Sequence, residues 1–214
     1  MAAAGQTPDR RQYERLFYER GLTRIAGVDE VGRGPLAGPV VACAVILPPD
    51  FEHEDIDDSK LLSAARRLEL FPLIAEQCIA WAIGIADRET IDRLNILRAS
   101  LLAMRCAVED LPVKADAVII DGNHKIPDLP LPQMPVIKGD RKSISVACAS
   151  ILAKEIRDRL MEHFDTEYPG FGFAVHKGYG TPAHLEALQR LGPTPIHRLS
   201  FRTVRELNQQ RLQL

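Results

Sequence analysis

Apolar positions fall into short β-branched runs that alternate with longer stretches of three-and-four spacing. Residues 8–21 place Tyr13, Leu16 and Phe17 on one side of a short charged helix that Gly21 ends. RIAGVDEV at 24–31 predicts a strand finishing in two carboxylates, and GRGPLAGP at 32–39 predicts a tight turn. VVACAVILP at 40–48 predicts a buried strand, because its β-branched content favours strand over helix. Residues 59–78 are amphipathic and predict a helix that Pro72 kinks or breaks. AWAIGIAD at 80–87 predicts a third strand. Residues 90–111 predict one continuous helix. ADAVIID at 115–121 is a short apolar run ending in another carboxylate, and 126–135, with four prolines, reads as a loop. PVIKGD at 135–140 predicts a fifth strand ending at Asp140, followed by a long helix over 142–164. A loop, a helix at 182–191, a Pro-rich turn and a last short helix complete the chain.

Intermixed strands and helices of this kind define an α/β fold. The first two strands, joined by one turn, are expected to form an antiparallel hairpin. Later strands, separated by helices, are expected to pair in parallel. The expected result is a mixed five-stranded sheet flanked by helices. Residues 1–23 read as a short N-terminal helical extension, and 24–214 as one domain whose helical C-terminal portion begins near 165. No internal repeat or low-complexity linker interrupts it.

Composition adds limits. The 214 residues are 46% hydrophobic and 26% charged, an ordinary globular balance. A net charge of −2 means that any basic surface is local. Cys43, Cys78, Cys106 and Cys148 form no CxxC pair and sit among aliphatic residues, so they read as small buried hydrophobes rather than a zinc site. No apolar run reaches membrane-spanning length, and the first residues lack a signal-peptide apolar segment. The expectation is a soluble cytoplasmic protein.

Four acids stand out by position. Asp29 and Glu30 end the first strand, Asp121 ends the VIID run, and Asp140 precedes the long helix. Carboxylates crowded at neighbouring strand ends repel one another unless a cation intervenes, and hard Mg²⁺ or Mn²⁺ ions take oxygen ligands. A pair of such ions suits phosphoryl chemistry. In a regular strand Asp29 and Glu30 point to opposite sides, so both serve one site only if the strand bends or if one acts at a remove. Gly32-Arg33-Gly34 allows close backbone approach to a ligand and supplies a guanidinium for a phosphate. Two stretches are locally basic. One holds Lys138, Arg141, Lys142, Lys154, Arg157 and Arg159; the tail holds Lys177, Arg190, Arg198, Arg202, Arg205 and Arg211. Either could track a phosphate backbone.

From about residue 24 to 202 these motifs, in order, resemble bacterial ribonuclease HII. They are GVDEVGRGPLAGPVVACAVIL, DDSKLLS at 57–63, NILRAS at 95–100, IIDGN at 119–123, KGDRKSISVACASILAKEIRD at 138–158, YPGFGFAVHKGYGTPAHLEAL and GPTPIHRLSF. The resemblance implies an RNase H-like fold. It also implies an endonuclease that cuts RNA in RNA–DNA hybrids and nicks 5′ of a single ribonucleotide in duplex DNA. The implied cofactors are two Mn²⁺ or Mg²⁺ ions, the implied ends a 3′-hydroxyl and a 5′-phosphate, and the implied state a monomer. Asp29, Glu30, Asp121 and Asp140 match the family's acidic quartet. Gly32, Arg33 and Gly34 would read the ribose 2′-hydroxyl and the adjacent phosphate. Tyr179 would sense the RNA–DNA junction by packing on a deoxyribose. Lys60, Asn95, Ser143 and Lys154 are further candidates for backbone contact. His124, His176, His184 and His197 lie in or near the motifs without metal-ligand spacing, which favours a structural or phosphate role.

Two residues depart from the family pattern. Val31 replaces the usual Ala between the acids and GRG, and Leu199 stands where a second basic residue is common. The sister family, ribonuclease HIII, carries a large N-terminal substrate-binding domain and a Glu as fourth acid; the short leader and Asp140 favour the HII type. The rival expectations are a DNA-directed nuclease of the same fold and a catalytically inactive hybrid-binding module. Retention of all four acids weighs against the latter, since unneeded carboxylates repel a polyanion.

Overall fold

The computed structural model describes residues 9–56, 59 and 62–211. Five strands form one sheet in the order β3-β2-β1-β4-β5. They are β1 (Ile25–Val31), β2 (Val40–Ile46), β3 (Ala80–Ala86), β4 (Ala117–Asp121) and β5 (Gln133–Val136). β1 and β2 form the expected antiparallel hairpin, and β4 lies parallel to both β1 and β5. The expectation of parallel pairing fails at β3, which runs antiparallel to β2. The intervening helix, α2 (Ala64–Gln77), returns the chain to the end of β2 that it left: Ile46 pairs with Ala80, and the Ile79 amide donates to the Ile46 carbonyl.

Three further elements differ from the sequence pattern. Pro72 lies inside α2 without ending it. The carbonyl one turn back, that of Leu68, loses its helical donor on a residue that is 54% exposed. The expected helix over 90–111 is two, α3 (Arg88–Leu94) and α4 (Ile96–Glu109), because Asn95 adopts φ 75° and caps α4 through Oδ1. The fifth strand ends at Val136, before Asp140. It is an edge strand, so Pro135 costs the sheet no central hydrogen bond. Asp140 sits instead in a 3₁₀ turn, Gly139–Arg141.

Strand alternation divides the core. Ala26, Val28, Ala42, Ala44, Val118 and Ile120 pack on one side with α4 residues Ala99, Ala103 and Ala107. Val41, Cys43 and Val45 face the other side, with Leu70 and Ile74 of α2 and with α5 (Ile144–Glu167). Residues 144–153 of α5 are all buried, so this helix runs through the interior. It lies very close to β1: a Cβ on Gly27 would come 2.2 Å from the Ser145 carbonyl carbon.

The N-terminal helix, α1 (Gln12–Tyr18), inserts Phe17 among Ile25, Ile119 and Val146. Its buried Glu14 accepts from the Ser143 and Ser145 hydroxyls at 2.6 and 2.7 Å, placing a carboxylate at the α5 N-terminus. The C-terminal portion comprises α6 (Phe173–His176), a turn the sequence pattern did not predict, then α7 (Pro182–Leu191) and α8 (Arg202–Arg211). Phe171, Phe173, Leu188 and Val204 join Leu36, Ala37 and Met161 in a separate apolar cluster. Cys43 and Cys148 are buried, Cys78 and Cys106 half-buried, and all four are free thiols. Among the described residues no helix is long and apolar enough to cross a membrane.

Candidate active site

The carboxylates gather where β1 and β4 end. The parallel register pairs Val28 with Ile120, so the next position sets Asp29 beside Asp121. β1 stays regular through Val31, so Glu30 points to the opposite face from Asp29. There Glu30 meets Arg33, whose Nη1 donates to Oε1 at 3.1 Å. Asp29 accepts the Glu30 amide at 2.8 Å, and Asp121 accepts the Gly139 amide at 2.7 Å. That second bond ties the turn carrying buried Asp140 to the end of β4. Asp29, Glu30 and Asp121 line a cleft of about 270 Å³ together with Gly32, Arg33, Gly34, Ser59, Lys154, Arg157 and Tyr179.

Burial first, then the charges of Glu30 and Asp121 with a smaller push from Asp140, hold the Asp29 carboxyl well above its usual range. The Ser150 hydroxyl, itself 2.8 Å from that of Ser59, opposes the shift by hydrogen bonding to Asp29. Glu30 is pushed up to about 7, mainly by burial, with Arg33 opposing and Asp121 reinforcing.

Gly32, Arg33 and Gly34 line the same cleft, and Tyr179, 48% exposed, stands beside Gly34. Lys154 lines the cleft but is engaged by Asp158 at 2.5 Å. Ser143 is fully buried and caps α5, and Asn95 caps α4; neither lines the cleft. Lys60 lies outside the described residues. His124 borders a smaller pocket beside Glu30 and Arg33. Leu199 donates its amide to Asp92.

Two residues read from sequence as backbone-tracking cations prove to be internal. Arg157 and Arg198 are 1% and 0% exposed, and both guanidiniums are spent on backbone carbonyls. No short-range pattern marks them, since the carbonyls they bind lie up to 166 positions away.

The histidines also have internal partners. His197 Nδ1 accepts the Thr194 amide at 2.9 Å, so its proton resides on Nε2, which donates to His184 Nε2 at 3.0 Å. His184 then carries its proton on Nδ1 and donates to the Tyr179 carbonyl at 2.8 Å. Burial, then His184, pushes His197 down to about 3. A histidine depressed on folding binds fewer protons folded than unfolded, so its contribution is full above pH 6.5 and is lost as pH falls toward 3. Going from pH 7 to pH 5 is expected to cost roughly 2 kcal/mol through this residue. Urea unfolding of wild type and His197→Gln at both pH values checks this: the variant should lose correspondingly less, and an equal loss contradicts it.

Fold and cleft together define a nuclease-type site, with carboxylates facing a glycine-rich turn on a mixed sheet. The family model of ribonuclease HII matches residues 26–204. Over 194 residues the chain is 52% identical to the ribonuclease HII of Syntrophotalea carbinolica, covering 91% of this chain and 92% of that protein. It is 54% identical to that of Geobacter sulfurreducens, covering 91% and 89%. The crystal structure of ribonuclease H2 from Pyrococcus horikoshii OT3 superposes with a TM-score of 0.75 at 25% identity, over 89% of this chain and all of that one. The chain belongs to the ribonuclease HII family and has its RNase H-like fold. It is an enzyme, a metal-dependent endoribonuclease.

The acids suit hard divalent ions in chemistry. The donors are all oxygen, and their mutual repulsion at Asp29 is the kind a bound cation relieves. As they stand, among the described residues no three His, Cys, Asp or Glu side chains converge to hold an ion; Arg33 draws Glu30 aside and the Gly139 amide holds Asp121.

Proposed function

We propose that the enzyme hydrolyses the RNA strand of RNA–DNA hybrids and nicks duplex DNA 5′ of a single embedded ribonucleotide, leaving a 3′-hydroxyl and a 5′-phosphate. The observation that carries this reading is one cleft in which Asp29, Glu30 and Asp121 face Gly32-Arg33-Gly34 and Tyr179. Two divalent ions, Mn²⁺ or Mg²⁺, would be held by Asp29 and Asp121 on one face of the sheet, with Glu30 and Asp140 completing the set. When bound, such ions supply an activated water and stabilise the leaving oxygen.

The chain's own groups do the rest. The 32–34 turn receives the ribose and its phosphate, where a 2′-hydroxyl distinguishes RNA from DNA. Exposed Tyr179 offers a ring for the deoxyribose on the DNA side of the junction. Exposed Lys138, Arg141 and Lys142 beside Asp140 lie where a polyanion would be drawn toward the cleft. The test is cleavage of a labelled long RNA–DNA hybrid with chelator, then with rising Mn²⁺ or Mg²⁺. The expected result is no cutting in chelator, a response steeper than first order in metal, and 3′-hydroxyl ends that a polymerase extends. Cutting in chelator, or ends bearing a cyclic phosphate, would overturn the reading.

A further inference from the structure

The loop from Gly32 to Pro39 has its carbonyls turned inward. Arg198 Nη2 takes those of Gly32 and Gly38 at 2.5 and 2.8 Å, and Nη1 takes those of Arg33 and Pro35 at 2.9 and 2.7 Å. The Arg198 amide takes the Leu36 carbonyl at 2.9 Å. Arg157 takes those of Ala37 and Pro39 at 3.2 and 3.0 Å. Among the described residues only the Gly34 carbonyl in this loop lacks such a partner.

In a trans peptide the carbonyl of one residue and the amide of the next point in opposite directions, and no cis peptide occurs among the described residues. Pulling the Gly32 and Arg33 carbonyls onto a buried guanidinium therefore turns the Arg33 and Gly34 amides away from it. Both residues are exposed and line the carboxylate cleft. Neither amide has an acceptor among the described residues, whereas those of Leu36 and Gly38 bond Gly178 and Ile196. Arg157 and Arg198 make no ion pair among the described residues, so two desolvated cations stand behind these donors. This arrangement needs a fork: five N–H groups in a plane reach four carbonyls, which one ammonium on a flexible stem does not do.

We propose that Arg198 is a positioning residue for substrate reading: it holds the Arg33 and Gly34 amides toward the cleft as a two-donor cradle for an oxygen of the substrate strand. That oxygen is a ribose hydroxyl or a phosphodiester oxygen, both of which accept hydrogen bonds. The inference rests on the proposed function, because it supplies the means by which that cleft recognises the strand. The C-terminal portion thereby becomes part of the reading apparatus, since Arg198 reaches back from it to the loop after β1.

The test compares wild type with Arg198→Lys on two duplexes, one with a single embedded ribonucleotide and one all DNA. Binding is measured in chelator and steady-state cleavage in Mn²⁺, after circular dichroism and a thermal melt confirm folding. The expected result is a KM for the ribonucleotide duplex raised at least tenfold in a folded variant. If the cradle takes the hydroxyl, binding preference for that duplex over DNA is lost. If it takes a phosphate oxygen, affinity for both duplexes falls together. A folded variant with KM, affinities and preference within twofold of wild type overturns the inference. If Arg198→Lys does not fold, hydrogen exchange on wild type in chelator decides. The Arg33 and Gly34 amides should slow at least tenfold on binding the ribonucleotide duplex, and unchanged exchange overturns the inference. A wild type that cuts neither a hybrid nor the ribonucleotide duplex in Mn²⁺ overturns the proposed function itself, a result distinct from either of these.

Discussion

Asp29→Asn is expected to eliminate cleavage while leaving a folded and, at neutral pH, firmer protein. Asp29 is 3% exposed, and burial, Glu30, Asp121 and Asp140 all work against its charge. Asparagine keeps the shape and the amide contact to β1 but carries no charge to repel. It also removes the oxygen proposed to hold a divalent ion at the centre of the acidic set, and a lost transition-state electrostatic contact of this kind costs about 10²–10³-fold or more. A fall in kcat of at least ~10³ is expected. The stability effect has a definite sign. A carboxyl raised on folding binds more protons folded than unfolded, so its destabilisation grows as pH rises above the ordinary carboxylate range. Thermal melts in chelator should show Asp29→Asn above wild type by a few degrees at pH 8 and by less at pH 5. A variant that retains cleavage, or melts below wild type at pH 8, contradicts this account of the residue.

Gly32→Ala is expected to damage both stability and reading. Gly32 adopts φ +92°, and a Cβ there would meet Arg157 Nε at 2.2 Å and the Pro39 carbonyl at 2.8 Å. The backbone conformation costs an L-residue about 1–2 kcal/mol, and overpacking adds about 1–3. Relief requires Arg157 to move, and Arg157 holds the Ala37 and Pro39 carbonyls of the same loop. Urea unfolding should show a loss of about 2–5 kcal/mol. Cleavage of a ribonucleotide-containing duplex by the remaining folded enzyme should fall at least ~100-fold, since misplacement of about an ångström costs that much. Near-wild-type stability would mean that the loop is not clamped as described.

The acidic site was legible because carboxylates at the ends of apolar runs are conspicuous, and strand alternation already separates Asp29 from Glu30. The hairpin was legible because GRGPLAGP leaves room only for a turn. Where local pattern failed, longer-range contacts decided. The register of β5 is set by pairing with β4 and by Gln133, whose side chain bonds the Ile126 and Leu129 backbone across the Pro-rich loop. The break at Asn95 interrupts no apolar period, so periodicity alone misses it. β3 pairs antiparallel because the chain leaves β2 and enters β3 at the same end of the strands, which helix length does not reveal. Arg198 and Arg157 look like surface cations in sequence; only the fold shows the carbonyls they bind. The basic residues beside Asp140 are exposed as expected, so the local charge excess is real there but half-internal further along.

The most direct test of the central claim uses two matched duplexes, one all DNA and one with a single embedded ribonucleotide, each incubated with Mn²⁺, with Mg²⁺ and with chelator. A carboxylate cleft read by the 32–34 turn and Tyr179 predicts one metal-dependent nick immediately 5′ of the ribonucleotide, with the all-DNA duplex untouched. Cutting of both duplexes, or of neither, would contradict it.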